Sequence, residues 1–228
     1  MSNPLTNTPS PLATFDSQYV LELNTDQPAT GLQRTELEAF VYQRFADTYG
    51  ACVRQYMPQL LGIRHRGTLQ AVVGLRPATT SALFLEQYLD MPACTQIRIR
   101  SGMPTQREHM VEVGNLAALA PGAARVLIIA LTHYLAAQGY TWVVFTGTAM
   151  LLNSFQRLAL SPIDLGEAKP ERLGDRQAEW GSYYATRPRV MAGYIPEGLV
   201  QLEQRGVFRR LGYRPLYAHQ REASHVSA

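Results

Sequence analysis

Residues 110–146 constrain the fold more than any other part of the chain. Met110 to Leu116 reads as a strand, Ala120-Pro121-Gly122 as a turn, Ala123 to Gln138 as an apolar helix and Thr141 to Thr146 as a second strand. Gly139 stands just past the helix, where a left-handed C-terminal cap is expected, and Tyr140 to Phe145 has the aromatic and β-branched content of a buried strand. A strand–helix–strand connection of this length favours two parallel strands in one sheet. The chain is therefore expected to be an α/β domain built around strands 110–116 and 141–146.

The flanking sequence supplies further elements. Arg34 to Tyr49 carries Leu37, Phe40, Val41, Phe45 and Ala46 at helical spacing, and 59–64 and 69–76 read as two strands joined at Arg66-Gly67-Thr68. A short helix or irregular segment is expected at Leu83 to Leu89 and a strand at Gln96 to Arg100. Past the core, the sequence predicts a helix from Ala149 to Leu160, a loop-rich stretch from Gly166 to Arg189, a strand at Arg189 to Ile195, a helix from Leu199 to Leu211 stopped by Gly212, and a strand at Tyr213 to Tyr217. No repeat or linker divides the chain, so residues 19–218 form one domain between flexible tails at 1–18 and 219–228.

Composition narrows the class of function. A chain of 228 residues buries roughly 70–75% of its extended surface, enough to fold without disulfides or a structural metal. Cys52 and Cys94 show no ligand spacing and read as reduced, structural residues, and the five histidines show no paired metal spacing. The 21 basic and 18 acidic residues are too balanced for the basic stripe that nucleic acid demands. All basic residues but Lys169 are arginines, so Schiff-base chemistry would fall to that one side chain, in a polar loop. The N-terminal residues lack the charged and apolar regions of a signal peptide, and the apolar segment 123–137 falls short of the ~20 residues of a membrane span. These features fit a cytoplasmic protein. No GxSxG elbow supports a serine hydrolase.

A helix that begins directly after a Gly-containing turn presents free backbone N–H groups and a positive dipole end, so the start of helix 123–138 is a candidate anion site; a tight connection before a core helix uses the same residues. The segment Leu119-Ala120-Pro121-Gly122-Ala123-Ala124 resembles the (Gln/Arg)-x-x-Gly-x-(Gly/Ala) turn of the GNAT acyltransferase superfamily at Gly122 and Ala124, with Leu119 in place of Gln or Arg. Arg34 and Phe40, Val73 to Pro77, Leu83 to Leu89 and Glu112 fall in the order seen in acyl-homoserine-lactone synthases. Those synthases carry Glu-x-Ser-Arg-Phe where this chain has Glu112-Val113-Gly114-Asn115-Leu116, so neither the Ser nor the Arg is retained. Val111 to Leu116, Phe145 to Thr148, Asn153 and Trp180-Gly181-Ser182-Tyr183-Tyr184 are similar to the thermostable hemolysin family over about residues 20 to 215.

These resemblances imply a GNAT-like, acyl-homoserine-lactone-synthase-like mixed central sheet flanked by helices, with the two central strands splaying apart around an acyl donor. Glu112 alternates with Val111 and Val113, so it points away from them and toward that splay, where a carboxylate can take a proton from an attacking amine or pair with an arginine. Asn153 and Ser154 begin the helix after the second strand, at a place for donor contacts or a proton-returning acid; Asn153 also suits a helix end. Val113, Asn115, Leu116, Gly122, Ala123, Ala124 and Thr146 are the expected donor-binding residues. Asn115 suits a local turn as well. Arg76, Trp180, Tyr183 and Tyr184 are the candidate substrate residues, and the aromatic cluster serves either as a tunnel wall or as core packing.

The function implied is transfer of an acyl group from an acyl-CoA or acyl-carrier-protein co-substrate to the amine of a small metabolite, with no resident cofactor or metal. Exposed Arg98, Arg100 and Arg107 could dock an acidic carrier protein or form a solvated face. The alternatives are a membrane-active hemolysin and a non-catalytic acyl-chain binding module.

Overall fold

The computed structural model describes residues 11–16, 18–25 and 31–217. Nine strands form a single sheet: β1 (Pro11–Phe15), β2 (Tyr19–Thr25), β3 (Gln59–His65), β4 (Thr68–Pro77), β5 (Met110–Ala118), β6 (Trp142–Gly147), β7 (Ile163–Glu167), β8 (Arg189–Tyr194) and β9 (Tyr213–Pro215). Their order across the sheet is β7-β8-β6-β5-β4-β3-β2-β1-β9. The central pair β5 and β6 is parallel, as the 110–146 pattern requires, and its neighbours β4 and β8 run antiparallel to it.

Helices cover both faces. On one, α1 (Gly31–Tyr49) sets Leu37, Val41 and Phe45 into a buried cluster with Leu60, Val72 and Ala117. Beside it α2 (Ala93–Ser101) and a 3₁₀ turn at Phe84–Tyr88 pack with Met110, Trp142, Val144, Val190 and Ala192. On the other face α3 (Pro121–Ala137) lays Leu127, Leu131 and Leu135 over Ile63, Val73 and Val111. There α4 (Ala149–Arg157), α5 (Ile195–Gln204) and α6 (Val207–Arg210) close the layer through Ile128, Ile129, Leu158, Leu202 and Val207. Strand alternation sorts the side chains: Met110 and Glu112 face α2, Val111 faces α3.

The structure departs from the sequence reading at several places. The alternation Ile97-Arg98-Ile99-Arg100 mimics a strand, but the segment is helical: Ala93 and Ile97, one turn apart, are buried, whereas Ile99 is 65% exposed. Gly102, at positive φ, ends that helix by donating to the Arg98 carbonyl. The helix expected at 199–211 is two, because Gly206 takes φ +62° between α5 and α6. The stretch 166–189 is not plain loop: it carries the end of β7 and 3₁₀ turns at Pro170–Trp180 and Tyr183–Thr186. Part of the expected N-terminal tail is strand β1, held between β2 and β9 with Ala13 and Phe15 buried; residues 1–10 and the C-terminal tail lie outside the described residues. Cys52 and Cys94 are unbridged and half-exposed rather than buried.

Candidate active site

The site arises where β5 and β6 part. They pair from Met110↔Trp142 to Val113↔Phe145 and no further. Beyond that point β6 continues alongside β8 to Gly147, and β5 stays with β4 to Ala118. Between Gly114 and Ala117 β5 holds one residue more than β4 can match, a β-bulge that bends it away. Asn115 occupies the bulge at φ +50°, a conformation asparagine tolerates better than most residues. Its Oδ1 accepts from Met57 N at 2.8 Å and its Nδ2 donates to the Gln55 carbonyl at 3.3 Å, pinning the segment between α1 and β3 over the strand. Gly74 and Gly114 admit that segment: a Cβ at either would lie 2.5 Å from the Met57 side chain.

A cavity of about 620 Å³ fills the opening and reaches through the sheet to both faces. Facing α1, its wall includes Tyr49, Met57, Phe84, Tyr88, Trp180 and Tyr184. Facing α3, α4 and α5, it is formed by Leu127, Leu131, Leu135, Phe155, Leu160 and Gly198. The first chamber is aromatic with polar tips, the second mostly aliphatic, with Phe155 and a few polar side chains such as Thr132 and Ser154.

Glu112 lies in the wall of the aromatic chamber and is only 2% exposed. Its Oε1 accepts from Leu85 N at 2.8 Å, and its Oε2 accepts from Phe84 N at 2.9 Å and from Arg76 Nη1 at 3.4 Å. Burial pushes its pKa above the ordinary carboxylate value, against the opposing pull of the two backbone donors and Arg76. Arg76 faces Glu112 across the β4–β5 ladder. Nearby, the hydroxyls of Tyr88 and Tyr184 are hydrogen-bonded to each other, and burial drives both phenols upward. Trp180 stacks at an angle on Tyr183 with centroids 5.4 Å apart and approaches Phe84 at 5.9 Å. The aromatic run at 180–184 is thus both packing and wall.

Most of the residues expected from sequence come together. Arg76, Glu112, Val113, Asn115, Leu116 and Ala124 line the cavity, as do Thr146, Ser154, Trp180, Tyr183 and Tyr184. Three do not. Asn153 is exposed because the inward face of α4 is formed by Leu151, Ser154 and Phe155, and Asn153 falls between them. Ala123 packs into the core beneath α3, and Gly122 is exposed, with open space where a Cβ would stand. What Gly122 and Ala123 keep are backbone N–H groups without intrahelical partners, because Pro121 starts α3 and its first bond is Ala124 N to the Ala120 carbonyl. Ser154 is buried, its hydroxyl 3.4 Å from the Met150 carbonyl. Sequence reasoning missed Met57, Phe84 and Tyr88, placed by long-range contacts with Asn115, Glu112 and Tyr184, and Tyr49, whose ring meets Tyr183 edge-on.

In structure the chain is similar to TofI in a ternary complex with an inhibitor and MTA, at TM-score 0.57 and 16% identity over 82% of this chain and 96% of that one. It is similar also to FeeM, an N-acyl amino acid synthase from uncultured soil microbes, at TM-score 0.55 and 14% identity over 81% and 94% of the two chains. A third neighbour is BjaI, a CoA-dependent acyl-homoserine lactone synthase with SAM and isopentyl-CoA, at TM-score 0.51 and 15% identity over 80% and 87%. At these identities the likeness is one of fold, and the mixed, mostly antiparallel sheet flanked by helices is the fold expected. No curated protein matches in sequence. The model of the thermostable hemolysin family matches residues 28–199, three quarters of the length and all of the cavity's central elements, and the chain belongs to that family.

Proposed function

We propose that this protein is an acyltransferase, moving an acyl group from a CoA or carrier-protein thioester to the amine of a small metabolite. The observation that carries this reading is the parting of β5 from β6 at Val113, which opens into a cavity with a buried carboxylate in its wall. Past Val113 the β6-facing edge of β5 has no strand partner, so its backbone groups are available to the amides of a pantetheine arm and to the thioester carbonyl. The aliphatic chamber suits the acyl chain and the aromatic chamber the acceptor. The likeness in fold to an acyl-homoserine lactone synthase and an N-acyl amino acid synthase supports the same class of reaction.

In the reaction the amine nitrogen attacks the thioester carbonyl, a C–N bond forms, the C–S bond breaks and the amine proton goes to Glu112. Oε2 of Glu112 already accepts two hydrogen bonds and Oε1 one, which leaves a lone pair on Oε1 for that proton. The raised pKa brings the carboxylate closer to a useful base at near-neutral pH. In this reading Ser154, in the cavity wall on α4, hydrogen-bonds the departing thiolate. Most of the rate comes from holding the two reactants together.

The test is thiol release from acyl-CoA and acyl-carrier-protein thioesters in the presence of a panel of small amines, comparing the native protein with Glu112→Gln. Amine-dependent release that falls in the variant supports the reading. Release that does not depend on any amine, or none from either donor, opposes it.

A further inference from the structure

Among the described residues, Arg44 Nε is the buried side-chain nitrogen or oxygen that has no hydrogen-bond partner. A buried donor left unmade costs free energy, so such a group in a cavity wall marks a place where a ligand completes it. Arg44 is in that wall, together with Thr48 and Gln55. Its ion pair among the described residues, Nη1 to Asp47 Oδ2 at 3.6 Å, is longer than a hydrogen bond, and Asp47 Oδ1 accepts from Gln43 Nε2 at 2.7 Å. The Arg44 side chain is 31% exposed, so a ligand entering the cavity can reach the guanidinium.

The position of Arg44 decides which part of a ligand it meets. Val41 and Phe45, which flank it on α1, share a buried cluster with Ala117 near the carboxyl end of β5. Tyr49, one turn on, lines the cavity with Thr148, just past the carboxyl end of β6. Arg44 therefore stands at the splayed end of the strands, where α3 begins after Ala120 and presents the Gly122 and Ala123 N–H groups. Glu112 and Arg76 lie at the other end, where β5 and β6 are still paired. From Val113 to Ala118 the strand spans roughly 17 Å at about 3.3 Å per residue, about the reach of an extended pantetheine arm. With the thioester at Glu112, the phosphate end of that arm arrives at Arg44.

Resting on the acyltransferase reading, we propose that Arg44 is a donor-binding residue whose guanidinium takes the phosphate of the donor's phosphopantetheine arm. That phosphate is common to CoA, as part of a pyrophosphate, and to a carrier protein, as a diester. A planar guanidinium matches phosphate geometry with paired N–H donors, and the α3 N-terminus adds backbone donors from the opposite side.

Calorimetry with CoA, 4′-phosphopantetheine, pantetheine and a phosphopantetheinylated carrier protein tests this, on the native protein, Arg44→Gln and Arg44→Lys, with thermal unfolding as the check on folding. The native protein should bind the phosphate-bearing probes more tightly than pantetheine. Arg44→Gln should weaken those probes by roughly tenfold to a hundredfold and leave pantetheine unchanged, with Arg44→Lys between. Response to CoA alone or to the carrier protein alone, each lost in Arg44→Gln, identifies the source of the phosphate and supports the proposal. Equal losses for pantetheine and phosphopantetheine, or no loss at all in a protein that binds them, overturn the role of Arg44 and leave the acyltransferase reading standing. Failure of the native protein to bind any of the four overturns both.

Discussion

Glu112 illustrates how a residue can be found from sequence while its surroundings cannot. Alternation along a strand pointed it into the cleft, but nothing in the chain showed that the amides of Phe84 and Leu85, more than twenty residues away, would occupy its two oxygens. Those bonds change what a substitution does. In Glu112→Gln one acceptor oxygen becomes an NH₂ group facing a backbone donor, so the variant should lose turnover by roughly 10²–10⁴-fold and also about 1–3 kcal/mol of stability. Paired rate and urea-unfolding measurements check both, and an unaltered midpoint would show that the Phe84 and Leu85 bonds carry no weight. The sign of the pH effect follows from the raised pKa. Protonated Glu112 is the form that burial favours, so its contribution to stability is present below the unfolded pKa and is lost as pH rises through the folded one. Activity, if the proposed base is the carboxylate, should rise through that same raised value. A kcat/KM profile whose acid limb lies at the ordinary carboxylate value of 4.5 or below would contradict this. Asn115 was legible as an unusual choice, and the structure gives it an anchoring task. Asn115→Ala should cost roughly 1–3 kcal/mol through two lost hydrogen bonds and a strained φ, while Asn115→Gly should recover only the backbone part.

At the scale of elements, the segments with long apolar runs were readable: β4, β5, α3 and β6 fall within a few residues of their expected bounds because their periodicity and caps agree. The failures have physical causes. In α2 a chance Ile-Arg alternation outweighed a helix with only two buried positions, and β7 is a short edge strand of mixed polarity that pairing with β8 alone defines. Arg44 escaped notice because it lies on the flank of an amphipathic helix, where arginine is commonplace. The turn 84–88 and α2 are tied together by Glu86, which accepts from Ala93 N at 3.0 Å, Leu83 N at 3.3 Å and Arg107 Nη1 at 2.8 Å. Burial raises the Glu86 pKa, but these donors outweigh it and hold the carboxylate below its ordinary value. Its stabilisation is therefore present above the unfolded pKa and lost as pH falls through the lowered one. Hydrogen exchange should show the amides of 83–101 losing protection below about pH 4.5 before those of α3 do, and Glu86→Gln should remove that acid step. Simultaneous loss in α2 and α3 would contradict it.

The molecule as a whole presents a sheet opened at its centre by a cavity that joins an aromatic, ionisable chamber to an aliphatic one. That arrangement suits a reaction between a polar amine and an acyl chain. The family carries the name of a hemolysin, yet none of the described helices is long and apolar enough to cross a bilayer. An amphiphilic product of acyl transfer would reconcile lysis with this architecture. The most direct measurement incubates the purified protein with acyl-CoA or acyl-carrier protein and small amines, follows acylated amine by mass spectrometry, and assays dye leakage from lipid vesicles in parallel. The account predicts acylated product that depends on both donor and acceptor, and leakage only once product has accumulated. Leakage caused by protein alone, undiminished in Glu112→Gln and with no acylated product, would contradict it.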